Sequence, residues 1–295
     1  MVNQKGGCGK TSSTICMGAA FAELGYKVCI VDTDPQCNAS ETFGVKPDQL
    51  AKEGSFTLAD VYLTKKPAAD ALIDFGERFN GNLFLLAGNR GLSSVYPRLE
   101  ADLQKMIANE EASPLDADDI RNEHRLRLRR SLDSLRSGFD VVLIDTPPNL
   151  DFLMTTTLIA ADWFVIPVFP SGYDLSGLET LTRTVEKVRS RYNSALRLAG
   201  VLLGNFDRST SLDREIHELL KRKFGEQLVF HTTIGRSVRH RECTLMQQTI
   251  FEHPDAHPQA EQYLDLVREM VSRGAKGATI NPLPEVEALG RIANG

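Results

Sequence analysis

Residues 4–12 read QKGGCGKTS, with glycines at positions 6, 7 and 9 and the helix-forming stretch Lys10–Leu24 directly behind them. Glycines this dense let the backbone turn tightly and aim its N–H groups inward. The helix adds the partial positive charge of its N-terminus, and together the two make a site for a phosphate. Lys10 stands where an ammonium reaches terminal phosphates, and Thr11 where a hydroxyl meets Mg²⁺. Gly6, Gly7, Cys8, Gly9, Lys10, Thr11 and Ser12 are therefore candidate nucleotide-binding residues. The plainer reading, a glycine-rich turn from strand to helix, leaves the coincidence of glycines, lysine and hydroxyl unexplained. The strict pattern G-x-x-x-x-G-K-[ST] wants glycine at position 4, where this chain has Gln4 followed by Lys5. A second lysine there can leave its own site and reach the phosphates of a facing subunit, where its charge would stabilise phosphoryl transfer. A loop of this kind follows a buried strand, yet only Met1 and Val2 precede Asn3. The first strand is expected to be short, or supplied in some other way.

Behind the loop, short apolar runs alternate with longer amphipathic stretches, the signature of βαβ units and a parallel sheet. Strands are expected at Val28–Val31, Leu83–Ala87, Val141–Ile144, Trp163–Val168 and Leu198–Leu203, runs rich enough in Val, Ile, Leu and Phe to be covered on both faces. Helices are expected at Lys10–Leu24, Ser94–Asn109, Ile120–Ser137, Gly177–Tyr192, Ser211–Phe224 and Pro258–Arg273, with Gly25 and Gly274 as C-terminal caps. The expected fold class is α/β: a single doubly wound, mostly parallel sheet with helices on both faces. No linker divides residues 1–274, and residues 275–295 read as a loosely held tail.

Two of the strands end in acids. Val28–Val31 runs into Asp32-Thr33-Asp34-Pro35, which puts two carboxylates at the sheet's carboxyl edge, where open α/β sheets bind ligands. One could hold the water shell of Mg²⁺ and the other orient an attacking water; solvated turn acids are the alternative. Val141–Ile144 runs into Asp145, the usual second half of a phosphate-loop site, with its carboxylate reaching the metal through water. The alternative is a helix-capping or turn aspartate. Asn205 follows the strand at Leu198–Leu203, and its amide both donates and accepts, as an adenine edge requires; a turn asparagine fits the same position.

Composition narrows the setting. No apolar run approaches the roughly 20 residues that span a bilayer, and MVNQKGG has no segment of signal-peptide character. Five scattered cysteines form no CxxC pair, which points to free thiols in a reducing, cytoplasmic compartment and away from a metal cluster. A net charge of −5 argues against a protein that coats nucleic acid over its whole surface. It leaves room for a local basic patch, because binding answers to nearby charge.

The motifs KGGCGKTS, DTDPQCN and VVLIDTPPNL, in this order and spacing, resemble the ParA/MinD family of deviant Walker ATPases. The stretch IPVFPSGYDLSGLETL and the later segments TTIGRSVRHREC and FEHPDAHPQAEQYLDLVREM resemble its ParA, Soj-like DNA-segregation branch, so that the likeness covers roughly residues 3–273. The resemblance implies ATP and Mg²⁺ as cofactors. It implies that Lys5 crosses an ATP-sandwich homodimer, and that Lys10 and Thr11 serve phosphate and metal. Asp34 would position the hydrolytic water, Asp32 support the metal shell, Asp145 act as the Walker B acid and Asn205 contact adenine. It further implies non-specific DNA binding at the nucleoid, and hydrolysis stimulated by a cargo-bound, ParB-like partition or adaptor protein. The loop departs from the family at Cys8, where a small apolar residue is usual. Cys8 is expected to be tolerated through its backbone N–H and to lend the site some sensitivity to oxidation.

From Arg208 to Arg241 eight Lys or Arg stand against four acids, a local balance of +4. Such a patch can hold phosphates without reading sequence, and the family places its DNA surface in this region. Arg208, Arg236, Arg239 and Arg241 are the candidate contacts; a solvated helix face is the alternative, above all for Lys221-Arg222-Lys223. The arginines of 121–136 read as a helix edge. No N-terminal helix-turn-helix is present for operator recognition. Other readings keep the loop and change the target. A MinD-like membrane ATPase would want a basic amphipathic tail, unlike NPLPEVEALGRIANG. A nitrogenase-type iron protein would want cysteines between Cys37 and Cys243. A tyrosine kinase would want a tyrosine-rich tail, and a small-molecule synthetase a substrate motif. A positioning ATPase for a protein cargo, such as a chemoreceptor cluster, a secretion or conjugation complex or a microcompartment, would carry the same ATP site.

Overall fold

The computed structural model describes residues 1–64, 66–172 and 175–275. The chain runs α1 (Lys10–Glu23), β1 (Val28–Asp32), α2 (Asn38–Thr42), α3 (Pro47–Lys52), α4 (Leu58–Thr64), β2 (Leu72–Asp74) and β3 (Leu83–Leu86). It continues through α5 (Val95–Ala108), α6 (Ala117–Leu132), β4 (Val141–Asp145), α7 (Phe152–Ala160), β5 (Trp163–Val168), α8 (Leu175–Arg191) and β6 (Arg197–Leu203). The last elements are α9 (Ser211–Phe224), α10 (Arg239–Met246) and α11 (His257–Ala275). All five expected strands and all six expected helices are present, most within a residue or two of their predicted ends.

β1 lies at the centre, parallel to β3 on one side and to β4 on the other, and β2 closes one edge antiparallel to β3. β5 and β6 form a second parallel pair. The first residues join the two. The Met1 ammonium donates to Ile144 O (2.8 Å), Val2 N–H to Val165 O (2.9 Å) and the Asn3 amide to Pro167 O (2.7 Å). Met1–Asn3 thus bonds to both β4 and β5 where a first strand is expected, without forming a regular strand itself. Below it the facing edges of those strands border a cavity of about 680 Å³, lined by Val141, Leu143, Trp163 and Val165 with Met17 and Phe21 of α1.

Strand alternation divides the core. Val28 and Ile30 of β1 point to a layer holding α1 and α11, including Ile15, Phe21, Tyr263 and Leu266. Cys29 and Val31 point to the opposite layer, with Leu58, Tyr62, Leu99 and Leu128 of α4, α5 and α6. Around β5 and β6, α7, α8 and α9 cover a third cluster through Leu158, Leu181 and Leu220. The sheet is therefore doubly wound, which brings the carboxyl ends of β1, β4, β5 and β6 out on one edge.

Elements missing from the sequence reading are the weakly patterned ones. β2 is three residues long, and α7 is apolar nearly all round because it is buried among neighbours. Gly25 has φ +86° just past α1, as a cap requires, but Gly274 lies inside α11 and caps nothing. Of the expected tail, residues 276–295 lie outside the described residues.

Candidate functional site

The loop sits where β1 and β4 end. Gly9, at φ +86°, is the N-cap residue of α1, and no side chain caps that helix. The first-turn N–H groups thus lack the side-chain partner that usually satisfies them and face the loop. Gly6 and Gly7 are exposed, and β-carbons on them would meet nothing within 4 Å, so this part of the loop faces open space. Lys10 is buried, and its Nζ donates to Lys5 O (3.1 Å), folding back across the loop. Lys5 itself is exposed. Its N–H donates to Asn3 Oδ1 (3.0 Å), which ties the loop's entry to β5 through the same asparagine.

Cys8 contributes backbone to the loop while its thiol turns inward, 97% buried, toward Lys5 O (3.1 Å). Burial pushes that thiol up despite Lys10 beside it. A thiol held protonated is a poor nucleophile, so the expected sensitivity to oxidation has no support in this setting.

The acids come together through register. Asp32 at the end of β1 pairs directly with Asp145 at the end of β4, and both are fully buried. Burial first, and then the mutual repulsion of the pair, raises Asp32 to about 7. Burial raises Asp145 to about 6, against the hydrogen bond from Thr11 and the charges of the chain's amino group and Lys10. The two carboxylates differ in what they hold. Asp32 accepts from Ser40 N–H (2.8 Å), Ser40 Oγ (2.7 Å) and Asp34 N–H (3.2 Å), so both of its oxygens are engaged by protein donors. Asp145 Oδ2 is buried with no partner. Asp34 is buried beside them and accepts from Gln36 N–H (2.9 Å) in a turn that fixes the carboxylate.

A hard cation fits this donor set. Asp145 offers an orphaned buried oxygen next to the Thr11 hydroxyl, and Mg²⁺ characteristically takes one or two carboxylates together with phosphates and water. Asp32 is the weaker of the predicted metal residues, since its oxygens already anchor the turn into α2.

Asn205, two residues past β6, adopts φ +50°, a left-handed conformation that asparagine tolerates better than most residues. That conformation fits the turn reading of Asn205. Next to it Phe206 N–H donates to Ile234 O (3.0 Å) and Arg236 N–H to Phe206 O (3.1 Å). That pairing brings the Arg208 loop beside Arg236. Arg208, Arg236 and Arg241 are exposed. Arg239 is drawn into ion pairs with Glu242 (2.7 Å) and Asp255 (3.8 Å), which neutralise much of its charge. In the arginine-rich 121–136 stretch, Arg127 donates to Tyr62 O (2.6 Å), a structural tie.

A family model described as an AAA domain matches residues 1–198. Among known proteins the chain is 32% identical to the sporulation initiation inhibitor protein Soj of Bacillus subtilis, over 93% of this chain and 98% of that one. It is 33% identical to the chromosome-partitioning ATPase Soj of Thermus thermophilus, over 92% of this chain and 94% of that one. Among solved structures, cobyrinic acid a,c-diamide synthase from Mycobacterium smegmatis with bound ADP and magnesium aligns with a TM-score of 0.70 at 25% identity, over 96% of this chain and 97% of that one. The cell division ATPase MinD of Pyrococcus furiosus shares the fold with a TM-score of 0.66 at 22% identity, over 92% of this chain and 96% of that one. The chain belongs to the ParA/MinD family of P-loop ATPases, close to ParA and Soj.

Proposed function

We propose that the protein is a ParA-like ATPase that takes ATP and Mg²⁺, closes into a homodimer around the nucleotide, holds DNA non-specifically and lets go on hydrolysis. The observation that carries this reading is the orphaned Asp145 oxygen set beside Thr11 and Lys10 under the uncapped start of α1. In this arrangement the N–H groups of residues 6–12 and the Lys10 ammonium hold phosphate oxygens, while Thr11 and Asp145 hold the metal side. Bound Mg²⁺ supplies charge neutralisation across the phosphates. Asp34, fixed by its turn, orients the attacking water. Lys5, exposed at the mouth of the loop, extends to the nucleotide of the facing protomer.

The exposed Arg208, Arg236 and Arg241 form the DNA-facing patch, with Arg239 contributing less because of its acidic partners. The work served is partition of a plasmid or chromosome, through a ParB-like protein that carries the cargo and stimulates turnover. No helix among the described residues is long and apolar enough to cross a membrane.

Titration with a fluorescent ATP analogue and Mg²⁺ tests the site. Wild type should bind, and Lys10→Ala should lose binding by about two orders of magnitude; equal binding by the variant rejects the loop assignment. Asp34→Ala should bind ATP, hydrolyse slowly and accumulate as dimer on a sizing column, so a variant that stays monomeric with ATP counts against the dimer cycle.

A further inference from the structure

The geometry points to Phe169 as a positioning residue that wedges the phosphate loop apart from the turn at Asn205 and so sets the spacing between the phosphate and base ends of the nucleotide site. This deepens the ATP reading of the same site and rests on it. A β-carbon on Gly9 would stand 2.6 Å from Phe169 Cζ and 2.7 Å from Cε1. A β-carbon on Gly204 would stand 2.7 Å from the same Cε1 and 3.2 Å from Cδ1. One ring edge is therefore held between the two glycines, one in the phosphate loop and the other immediately before Asn205. Distances under 3 Å leave room for hydrogen on those α-carbons and for nothing larger.

The wedge is held from behind. Gly204 N–H donates to Val168 O (2.9 Å), which continues the β5–β6 ladder up to the residue before the phenylalanine. The Asn3 amide on Pro167 O ties the loop's entry to the same strand end. Pro170 follows directly and confines Phe169 to extended backbone, which fixes where its side chain leaves the main chain. The phosphate loop and the Asn205 turn share no direct hydrogen bond among those described, while the Phe169 ring lies against both.

A double-mutant cycle on nucleotide affinity tests this directly. Gly204→Ala should raise the dissociation constant for a fluorescent ATP analogue with Mg²⁺ by about tenfold, because the new methyl drives the ring toward Gly9. In a Phe169→Leu background, which lacks Cε1 and Cζ, the same substitution should cost less than about threefold. An equal cost in both backgrounds overturns the wedge. A second measurement needs no nucleotide. In the nucleotide-free protein, Phe169→Leu should speed amide exchange of residues 6–12 while β1 and β3 keep their protection. Unchanged exchange in the loop, or loss of protection throughout the sheet, also overturns it. If wild type itself ignores ATP the nucleotide reading fails, and the exchange experiment still reports on the wedge.

Discussion

At the scale of single residues, the site gathers carboxylates whose burial costs free energy in the ionised form. Asp145 titrates near 6 against 3.8 for the free side chain, because burial disfavours the ionised form. A carboxyl raised by folding binds its proton more tightly in the native state than in the unfolded chain. Its stabilising effect is therefore fully present below about pH 4 and is lost as pH rises toward 6. In nucleotide-free, EDTA-treated protein, Asp145→Asn should flatten that loss and raise stability at pH 7 by roughly 1–3 kcal/mol. The raised Asp32 should then move back toward its ordinary range, since Asp145 is one of its two causes of elevation. Denaturant unfolding at pH 5, 6 and 7 measures this, and a variant with the wild-type pH slope would show that Asp145 is not the charge at fault. The same variant should lose Mg²⁺-dependent nucleotide binding, the expected trade between a strained site and function.

At the scale of elements, the short first segment does the work of a strand with three residues. Asn3 alone carries two bonds that lock loop to sheet, one given to Pro167 O and one accepted from Lys5 N–H. Asn3→Ala leaves both partners unmet and should cost about 1–3 kcal/mol in denaturant unfolding, together with weaker ATP binding. A loss under a few tenths would mean that water replaces the amide freely. The strand ends and the helices α1, α5, α8 and α9 were legible in the sequence because buried runs and amphipathic periods carry them. α10 was not, since RHRECTLM has no apolar face, and Val238, Leu245 and Met246 stay exposed around it. Its helix rests on its neighbours and not on its own pattern.

At the scale of the whole molecule, a chain of net −5 must gather its basic residues to meet a polyanion. If Arg208, Arg236 and Arg241 of both protomers each neutralise a phosphate, log–log salt dependence of DNA binding by the ATP dimer should have a slope of roughly −5. Replacing Arg208 and Arg236 with Ala should bring the slope to roughly −2, while Arg239→Ala should change it less, because Glu242 and Asp255 already share its charge. Filter binding between low and physiological salt gives both numbers, and a slope near zero in wild type would remove the patch from consideration.

Much of the candidate site could be read from short spans alone, because its chemistry is local. A glycine-rich loop ahead of a helix, a lysine and a threonine inside it, and acids at strand ends each declare themselves within a few residues. Tertiary structure decided how those groups divide the task. The parallel register of β1 against β4 set Asp32 opposite Asp145, and the turn into α2 consumed the oxygens of one while leaving an oxygen of the other unpaired. Packing alone put the edge of Phe169 between Gly9 and Gly204, three positions far apart in the chain. Burial and mutual repulsion depend on distance in space, and no period or spacing along a sequence encodes which distant groups will be buried side by side.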